Sequence, residues 1–535
     1  MQEIRNMPIG IQDFEIMRTA SYVYVDKTQF ISELEIVGRA YFLTRPRRFG
    51  KSLFISTLQA YFEGRKELFK GLAIEKFKTE AKSEWQSYPV LKLDLNAQEY
   101  TKKEHLTTVL DDHIDKWKKV YSIQFKANNS CSAFAKLIEA LYKKFNQRVV
   151  ILVDEYDKPL IASMENEELN NSYRSMLKAF YSVIKSLNGY IHLSFLTGVT
   201  KFSKVSIFSD LNNLMDISFD KEYSAICGIT EEELKDNFSK EVKALANAYN
   251  KTEEEMVNIL RAKYDGYRFS EKEERIYNPF SLFNVFAKEK LGDYWFETGT
   301  PTFMVHLFEQ KDFILPDLER NIRLSMRDMN DYRLNYSYLT PLLFQAGYLT
   351  IKDYDREENV YILGYPNDEV KYAFLYSLMA VYTDGKILSQ GEFRIGLFKE
   401  AMQKGDIDKV LTLIKALMAS IPYDTLPEDK LFLREQNYQT TIYLIFSLMG
   451  EYVRTEVHSS LGRSDVEVET NEAIYIFEFK VGGKPQDALS QIREAGYAEK
   501  YSASNKSIFL IGASITRNKR TLGKWMVEKA RIDKV

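Results

Sequence analysis

The feature that most restricts the fold is a set of short, nearly uninterrupted apolar runs within the first 205 residues, each followed by a stretch with helical spacing. AYFLT (Ala40 to Thr44), YPVLKLDL (Tyr88 to Leu95), VVILVDEYD (Val149 to Asp157) and IHLSFLTGV (Ile191 to Val199) are the clearest. A strand with water on one face alternates polar and apolar residues, whereas a strand buried on both faces has no polar face to show. Strands separated by helices rather than by tight turns form a parallel sheet with helices covering both faces.

The chain has 535 residues, room for three or four domains at roughly 100 to 200 residues each. With 45% hydrophobic and 28% charged residues, it belongs to neither the disordered nor the low-complexity classes. Lysine and arginine number 73 against 76 acidic residues, for a net charge of -3, which excludes a polyanion binder defined by bulk charge but not a local basic face. The cysteines, Cys131 and Cys227, are too few and too far apart for a disulfide framework or a thiolate zinc cage, and the five histidines include no HExxH. The first residues are acidic and lack an apolar signal region. The run Ile442 to Met449 is far shorter than the ~20 residues a membrane helix needs. These features predict a cytoplasmic protein with no membrane partner. Tyrosine (35) and phenylalanine (34) are numerous but evenly spread, as expected for packing rather than for a base-stacking platform.

Four regions are expected. Residues 1–205 form the α/β unit. Residues 206–335 turn mainly helical, with EEEL and TEEEM opening acid-rich helices, and read as a helical lid. Residues 336–429 contain a helix from Ser337 to Ala346, then GYLTI, a polar turn and VYILGYP. That string suits a winged-helix module and equally any helix followed by a β-hairpin. Residues 430–535 read α-β-β-β-α-β: a helix over 435–449 closed by Gly450, strands at 452–458, 464–469 and 473–481, a helix from about Gln486 to Tyr501, and the strand KSIFLIGA.

In FLTRPRRFGKSLF, Gly50, Lys51 and Ser52 lie between a strand and a helix. The phosphate-loop string GxxxxGK[ST] needs glycine where Arg45 stands, so only its second half is present. The chemistry is still coherent: Gly50 lets backbone approach an anion at a helix start, Lys51 reaches the β and γ oxygens, and the Ser52 hydroxyl suits Mg²⁺. Arg47, Arg48 and Phe49 complete the loop. Asp154 and Glu155 end the apolar strand VVILVDEYD, where Asp154 would hold Mg²⁺ through its hydration shell and Glu155 would polarise an attacking water.

Together with IGIQDFE, YVYVDKTQFI, VVILVDEYDKPL, LTGVTKFSKVSIFSDLNNL, YDGYRF, NPFSL and YWFETGTP, this loop resembles the bacterial AAA-ATPase-like proteins, in which the ATPase domain often precedes a PD-(D/E)XK nuclease domain. The resemblance covers nearly the whole chain. It accounts for the missing first glycine, because that family typically carries an RPRRFGKS/T loop. It implies ATP and Mg²⁺ as cofactors, Lys51 and Ser52 on phosphate and metal, Asp154 and Glu155 as the acidic pair, and Thr197 or Thr200 as a polar sensor near the γ-phosphate.

A second constellation lies in GRSDVEVETNEAIYIFEFKVGG. Glu478 and Lys480 project from one face of a strand whose other residues are apolar, so two charges there need a reason. Asp465 precedes them on the neighbouring strand, and the turn at Thr470–Glu472 can bring it beside Glu478. Two carboxylates that close repel unless a divalent cation, Mg²⁺ or Mn²⁺, lies between them, and the lysine can then orient or activate a water. The pattern resembles the PD-(D/E)XK superfamily, which implies Asp465, Glu478 and Lys480 as the core set, Glu435 on the first helix, and Gln491 and Tyr497 as auxiliary residues. Residues 501–535 hold eight basic and two acidic side chains, read either as a nucleic-acid face or as an ordinary basic terminal helix.

The expectation is therefore a multidomain α/β ATPase coupled to a metal-dependent nuclease acting on DNA or RNA. The rival is a nucleotide-switched binding protein whose nuclease fold only grips nucleic acid or a protein partner. No arginine stands out as a trans-acting finger, so the sequence implies no oligomeric state.

Overall fold

The computed structural model describes residues 5–37, 40–96, 98–201, 213–271, 274–297, 322–330, 339–382, 395–419, 444–448, 454–457, 466–470, 472–502, 504–516 and 521–530. The chain divides into two compact units: Met1–Trp295 with Ile322–Asn367, and Phe296–Asn321 with Asp368–Val535.

In the first unit, β1 (Ala40–Thr44), β2 (Val90–Asp94), β3 (Val149–Asp154), β4 (Ile191–Gly198) and β5 (Met215–Asp216) form one sheet in the order β2-β3-β4-β1-β5. Every pairing is parallel. All residues of β1 and β3 are buried, so the sheet is covered on both faces, as the unbroken apolar runs require. The covering helices are amphipathic: Phe134, Leu137, Ile138 and Leu141 of Ser130–Phe145, and Tyr173, Leu177, Phe180 and Ile184 of Glu167–Ser186, share one core with Leu91, Ile151 and Val153. Asn129 and Asn166 cap these two helices by accepting the N–H groups of Ser132 (2.9 Å) and Leu169 (3.0 Å), each worth about 1 kcal/mol. Because the strands are parallel, the ends of β1, β3 and β4 lie along one edge of the sheet, where Asp154 and Thr197 stand.

Both acid-rich helix starts are capping boxes. Thr230 and Glu233 close the helix Glu231–Ala248, and Thr252 and Glu255 close Glu253–Tyr264. Beyond the short antiparallel pair β6 (Ile229–Thr230) and β7 (Ile276–Tyr277), the helix Leu339–Ala346 leads into a hairpin of β9 (Thr350–Asp355) and β10 (Val360–Gly364), with β8 (Ile322–Ser325) on the other side of β10. The expected helix-strand-turn-strand string is present, and it lies in the same compact unit as the parallel sheet: the Gln345 side chain accepts the Lys201 N–H at 2.8 Å.

In the second unit, β11 (Arg454–Val457), β12 (Val466–Glu469), β13 (Ala473–Val481), β14 (Ser507–Thr516) and β15 (Thr521–Lys529) are arranged in that order. β13 and β14 run parallel and the other pairs are antiparallel. The helix Pro485–Glu494 places Leu489 and Ile492 against Ile474, Ile476, Ile508 and Leu510. Of the helix expected over 435–449, residues 444–448 are helical, while Glu435 and Gly450 lie outside the described residues.

Two expectations need correction. The helix anticipated to Tyr501 stops at Glu494, because Gly496 adopts φ 64° and turns the chain, which resumes as a short 3-10 turn over Glu499–Tyr501. The basic terminal stretch is not helical over Thr521–Lys529 but forms the edge strand β15. Leu522 is buried there, and the Trp525 indole donates to Asp408 at 2.6 Å, so tertiary contacts outweigh local preference. Among the described residues, no helix is long and apolar enough to cross a membrane.

Candidate functional site

The phosphate loop joins β1 to the helix Lys51–Phe62. Gly50 caps that helix with φ 97°, a left-handed conformation that glycine adopts without strain, and Arg48 is also left-handed at φ 68°. Arg45, where the usual pattern has its first glycine, is fully buried and acts as a staple. Its guanidinium donates to the carbonyls of Thr44 (2.9 Å), Ser218 (2.8 Å) and Tyr223 (2.9 Å) and lies 4.1 Å from the Phe269 ring. Burial lowers its pKa to about 10, far enough above neutrality to leave it charged. Conformational freedom at this corner is thus replaced by a fixed cation.

Four of the loop carbonyls accept from protein donors. Lys51 Nζ donates to the carbonyls of Arg45 and Pro46, both at 3.0 Å, the Trp295 indole to that of Arg47 at 3.1 Å, and the Gly228 N–H to that of Phe49 at 3.1 Å. A loop that receives an anion must turn its carbonyls elsewhere, and these contacts do so. The Phe49 side chain is buried edge-on against Tyr267 (4.8 Å) and Phe269 (5.5 Å), so only its peptide group is left for a ligand. The Arg48 guanidinium lies over Phe280 at 4.6 Å. Ser52 is the second residue of the helix.

At the end of β3, Asp154 is buried, and its Oδ1 accepts the Thr197 hydroxyl at 2.8 Å and the Glu155 N–H at 3.1 Å. Thr197 is therefore tied to the acidic pair by its hydroxyl. Glu155 is left-handed at φ 51°, a conformation costing an L-residue about 1–2 kcal/mol. Burial raises its carboxyl above the usual range, and the nearby Lys51 charge opposes that rise.

In the second unit, β13 places Glu478 and Lys480 on one face. Lys480 Nζ lies 3.3 Å from Glu478 and donates to Gln491, which the helix Pro485–Glu494 brings over the strand. Glu478 is buried. The register pairs Val466 with Phe477, so the residue that follows Asp465 in sequence sits opposite the residue that precedes Glu478. Asp465 itself lies outside the described residues. Tyr497 packs against the Ile474–Leu489 core. Among the described residues, no group of three or more His, Cys, Asp or Glu could hold a metal.

Comparison with known proteins matches these two regions separately. Residues 8–208 match the family described as "Predicted AAA-ATPase", and residues 433–525 match the PD-(D/E)XK nuclease superfamily. A curated relative, the "Uncharacterized protein in vnfD 5'region" of Azotobacter chroococcum mcd 1, is 36% identical over 98% of this chain and 99% of its own length. The chain belongs to the bacterial AAA-ATPase-like family that carries a C-terminal PD-(D/E)XK nuclease-superfamily domain. A solved structure of the Aeropyrum pernix ORC2 protein, in ADPNP-ADP complexes, aligns over 64% of this chain and 87% of that one at 12% identity. Its TM-score is 0.22, so it contributes no argument about the site.

In this AAA-ATPase-like chain, Asp154 suits a hydrated cation: among the described residues its Oδ1 takes both side-chain hydrogen bonds, which leaves Oδ2 to accept from a water on the cation. Two positions were not singled out from the sequence. Asp157 is buried, and its carboxylate accepts the Val199 N–H (3.1 Å), the Thr200 N–H (2.6 Å) and the Thr200 hydroxyl (2.6 Å), locking the strand end that carries Thr197. A Cβ on Gly198 would stand 2.6 Å from Asp157 Oδ1, so this contact needs glycine. The one sequence signal was the third acid in DEYD. Glu467 is buried on β12 and accepts the Tyr501 hydroxyl and Lys500 Nζ, each at 2.6 Å. Its signal was alternation, because Glu467 stands two residues after Asp465.

Proposed function

We propose that this chain hydrolyses ATP at the phosphate loop and uses that cycle to govern metal-dependent cleavage of nucleic acid phosphodiesters by its C-terminal domain. The observation that carries the reading is the convergence of Lys51, from the helix after β1, with Asp154, Glu155 and Thr197 at the ends of β3 and β4, beside a loop whose Arg45, Pro46, Arg47 and Phe49 carbonyls accept from protein donors.

In this reading Lys51 leaves the loop carbonyls for the β and γ oxygens, and the Gly50 to Ser52 backbone cradles the phosphates. Mg²⁺, held by Ser52 and by Asp154 through water, would neutralise charge on the phosphates. Glu155, its carboxyl raised by burial, orients and polarises the attacking water, while Thr197 fixes Asp154. In the C-terminal domain Asp465 and Glu478 would hold Mg²⁺ or Mn²⁺, which lowers the pKa of a bound water. Lys480, steadied by Gln491, orients that water and stabilises charge at the phosphorus. Cys131 and Cys227 are both free thiols, which suits a reducing cytoplasm.

The decisive experiment assays purified protein for phosphate release and for Mn²⁺-dependent cutting of a DNA and RNA panel. Glu155→Gln should retain bound ATP and lose turnover, and Asp465→Ala should lose cutting with ATP binding intact. Cutting unchanged in Asp465→Ala would sink the nuclease assignment. Phosphate release without any cutting by the wild-type protein would instead favour a nucleotide-switched binding protein.

A further inference from the structure

Trp295 stands at an unusual junction. It is the last residue of the first compact unit before the chain passes into the second, and its side chain is 5% exposed. Its indole N–H donates to the Arg47 carbonyl, in the middle of the phosphate loop, at 3.1 Å. Tyr348 lies edge-on to the indole at 5.4 Å. The adjacent Gly347, at φ 93°, leaves no room for a side chain: a Cβ there would stand 2.6 Å from Pro46 and 3.4 Å from the Trp295 ring. The indole is thus wedged between the loop and the segment that opens β9.

A second wedge lies on the other side of the loop. Tyr267 and Phe269 enclose Phe49, and Gly266 comes so close to Pro366 that a Cβ would stand 2.2 Å from its carbonyl oxygen. Pro366 lies one residue before Asn367, the other end of the first unit. Both points where the chain leaves this unit after a described segment are therefore packed on elements that touch the loop.

We propose that Trp295 is a positioning residue of the phosphate loop. Its N–H fixes the Arg47 carbonyl away from the ligand, so that occupancy of the loop is felt where the chain leaves the ATPase unit. The inference rests on the ATP-binding reading given above. Binding of phosphate tightens the loop around its N–H groups, and the Arg47 peptide cannot rotate without breaking or dragging the indole contact. Trp295 does not touch the reacting atoms, so its effect should appear in nucleotide affinity more than in the chemical step.

Trp295→Phe keeps an aromatic ring and removes the donor. One hydrogen bond of ordinary strength corresponds to about a five- to tenfold change. The expected result is that KM for ATP·Mg²⁺ rises by about that factor while kcat stays within about twofold. An unchanged KM, or a fall in kcat alone, overturns the proposal. Hydrogen exchange on the wild-type protein decides the matter independently of whether the variant folds. Addition of a non-hydrolysable ATP analogue should slow exchange at 45–52 and at 294–297 together. Slowing at 45–52 alone would refute the link, whereas no slowing at 45–52 would refute the ATP-binding reading on which it rests.

Discussion

The two candidate centres of this protein are assembled by different means. The phosphate-loop centre collects Lys51 from the helix after β1, Asp154 and Glu155 from the end of β3 and Thr197 from the end of β4, and it is held by contacts that span the sequence. Arg45 reaches Tyr223 and Trp295 reaches Arg47. The described part of the C-terminal centre needs one strand and one helix, with Glu478 and Lys480 two residues apart and Gln491 just beyond. A centre made at a sheet edge depends on the whole unit being folded, whereas one made on a strand face depends mainly on local alternation.

The strongest test of that separation is a crossed pair of variants. Lys51→Ala should lower phosphate release by at least about 100-fold, and Lys480→Ala should lower cutting by at least about 100-fold. ATP turnover in Lys480→Ala should stay within about twofold of wild type. A parallel loss of turnover would mean the centres are not separable.

Next in size is Arg45→Gly, which restores the glycine of the familiar loop pattern. It removes a buried cation bonded to three carbonyls, so it should destabilise the protein by about 3 kcal/mol or more in urea unfolding rather than improve nucleotide binding. An Arg45→Gly protein as stable as wild type would show that the staple is dispensable.

A pH experiment probes the surroundings of the first centre. Asp265, in the YDGYRF segment, is buried, and burial pushes its carboxyl up to about 6 from an ordinary 3.8. The folded state therefore keeps the proton that the unfolded chain gives up. The stability linked to Asp265 is fully present below about pH 4 and is lost as pH rises through about 6. Above that the cost is constant, at about 2–3 kcal/mol. Asp265→Asn should be more stable than wild type by up to that amount at pH 8 and indistinguishable near pH 4. An equal difference at both pH values would assign the effect to packing instead.

The smallest expected effect lies beside the second centre. Tyr501→Phe removes one hydrogen bond to the buried Glu467, while Lys500 remains. A loss of about 1 kcal/mol in unfolding free energy is expected, with cutting reduced less than in Lys480→Ala. A larger loss of cutting than of stability would make Glu467 part of the chemistry rather than of its support.

Much of the fold was legible because burial leaves a periodic trace. The unbroken apolar runs at β1, β3 and β4 announced a parallel sheet, and the acid run at Glu231–Glu233 announced a helix start. The terminal strand β15 was not legible, since Leu522 and Trp525 find partners on β14 and on the helix Ile407–Ala419, both distant in sequence or formed by tertiary contact. In the site, Gly50, Lys51, Asp154 and Glu155 stood out because each residue type matched its place at a strand or helix end. Asp157 and Glu467 did not, because an acid is ordinarily solvated, and neither the third acid of DEYD nor the alternation after Asp465 marks a residue as buried.

The sequence alone determined which candidate groups are present: a lysine and serine after a strand, an acidic pair after another, and two like-faced charges on a third. Only the tertiary structure decided how those groups are held. Arg45 takes the place of a glycine by bonding carbonyls 173 and 178 positions away, and Trp295 holds a carbonyl 248 positions away. Local periodicity reports which face of an element is buried, but a directional hydrogen bond between distant segments exists only once the chain has brought donor and acceptor to within about 3 Å.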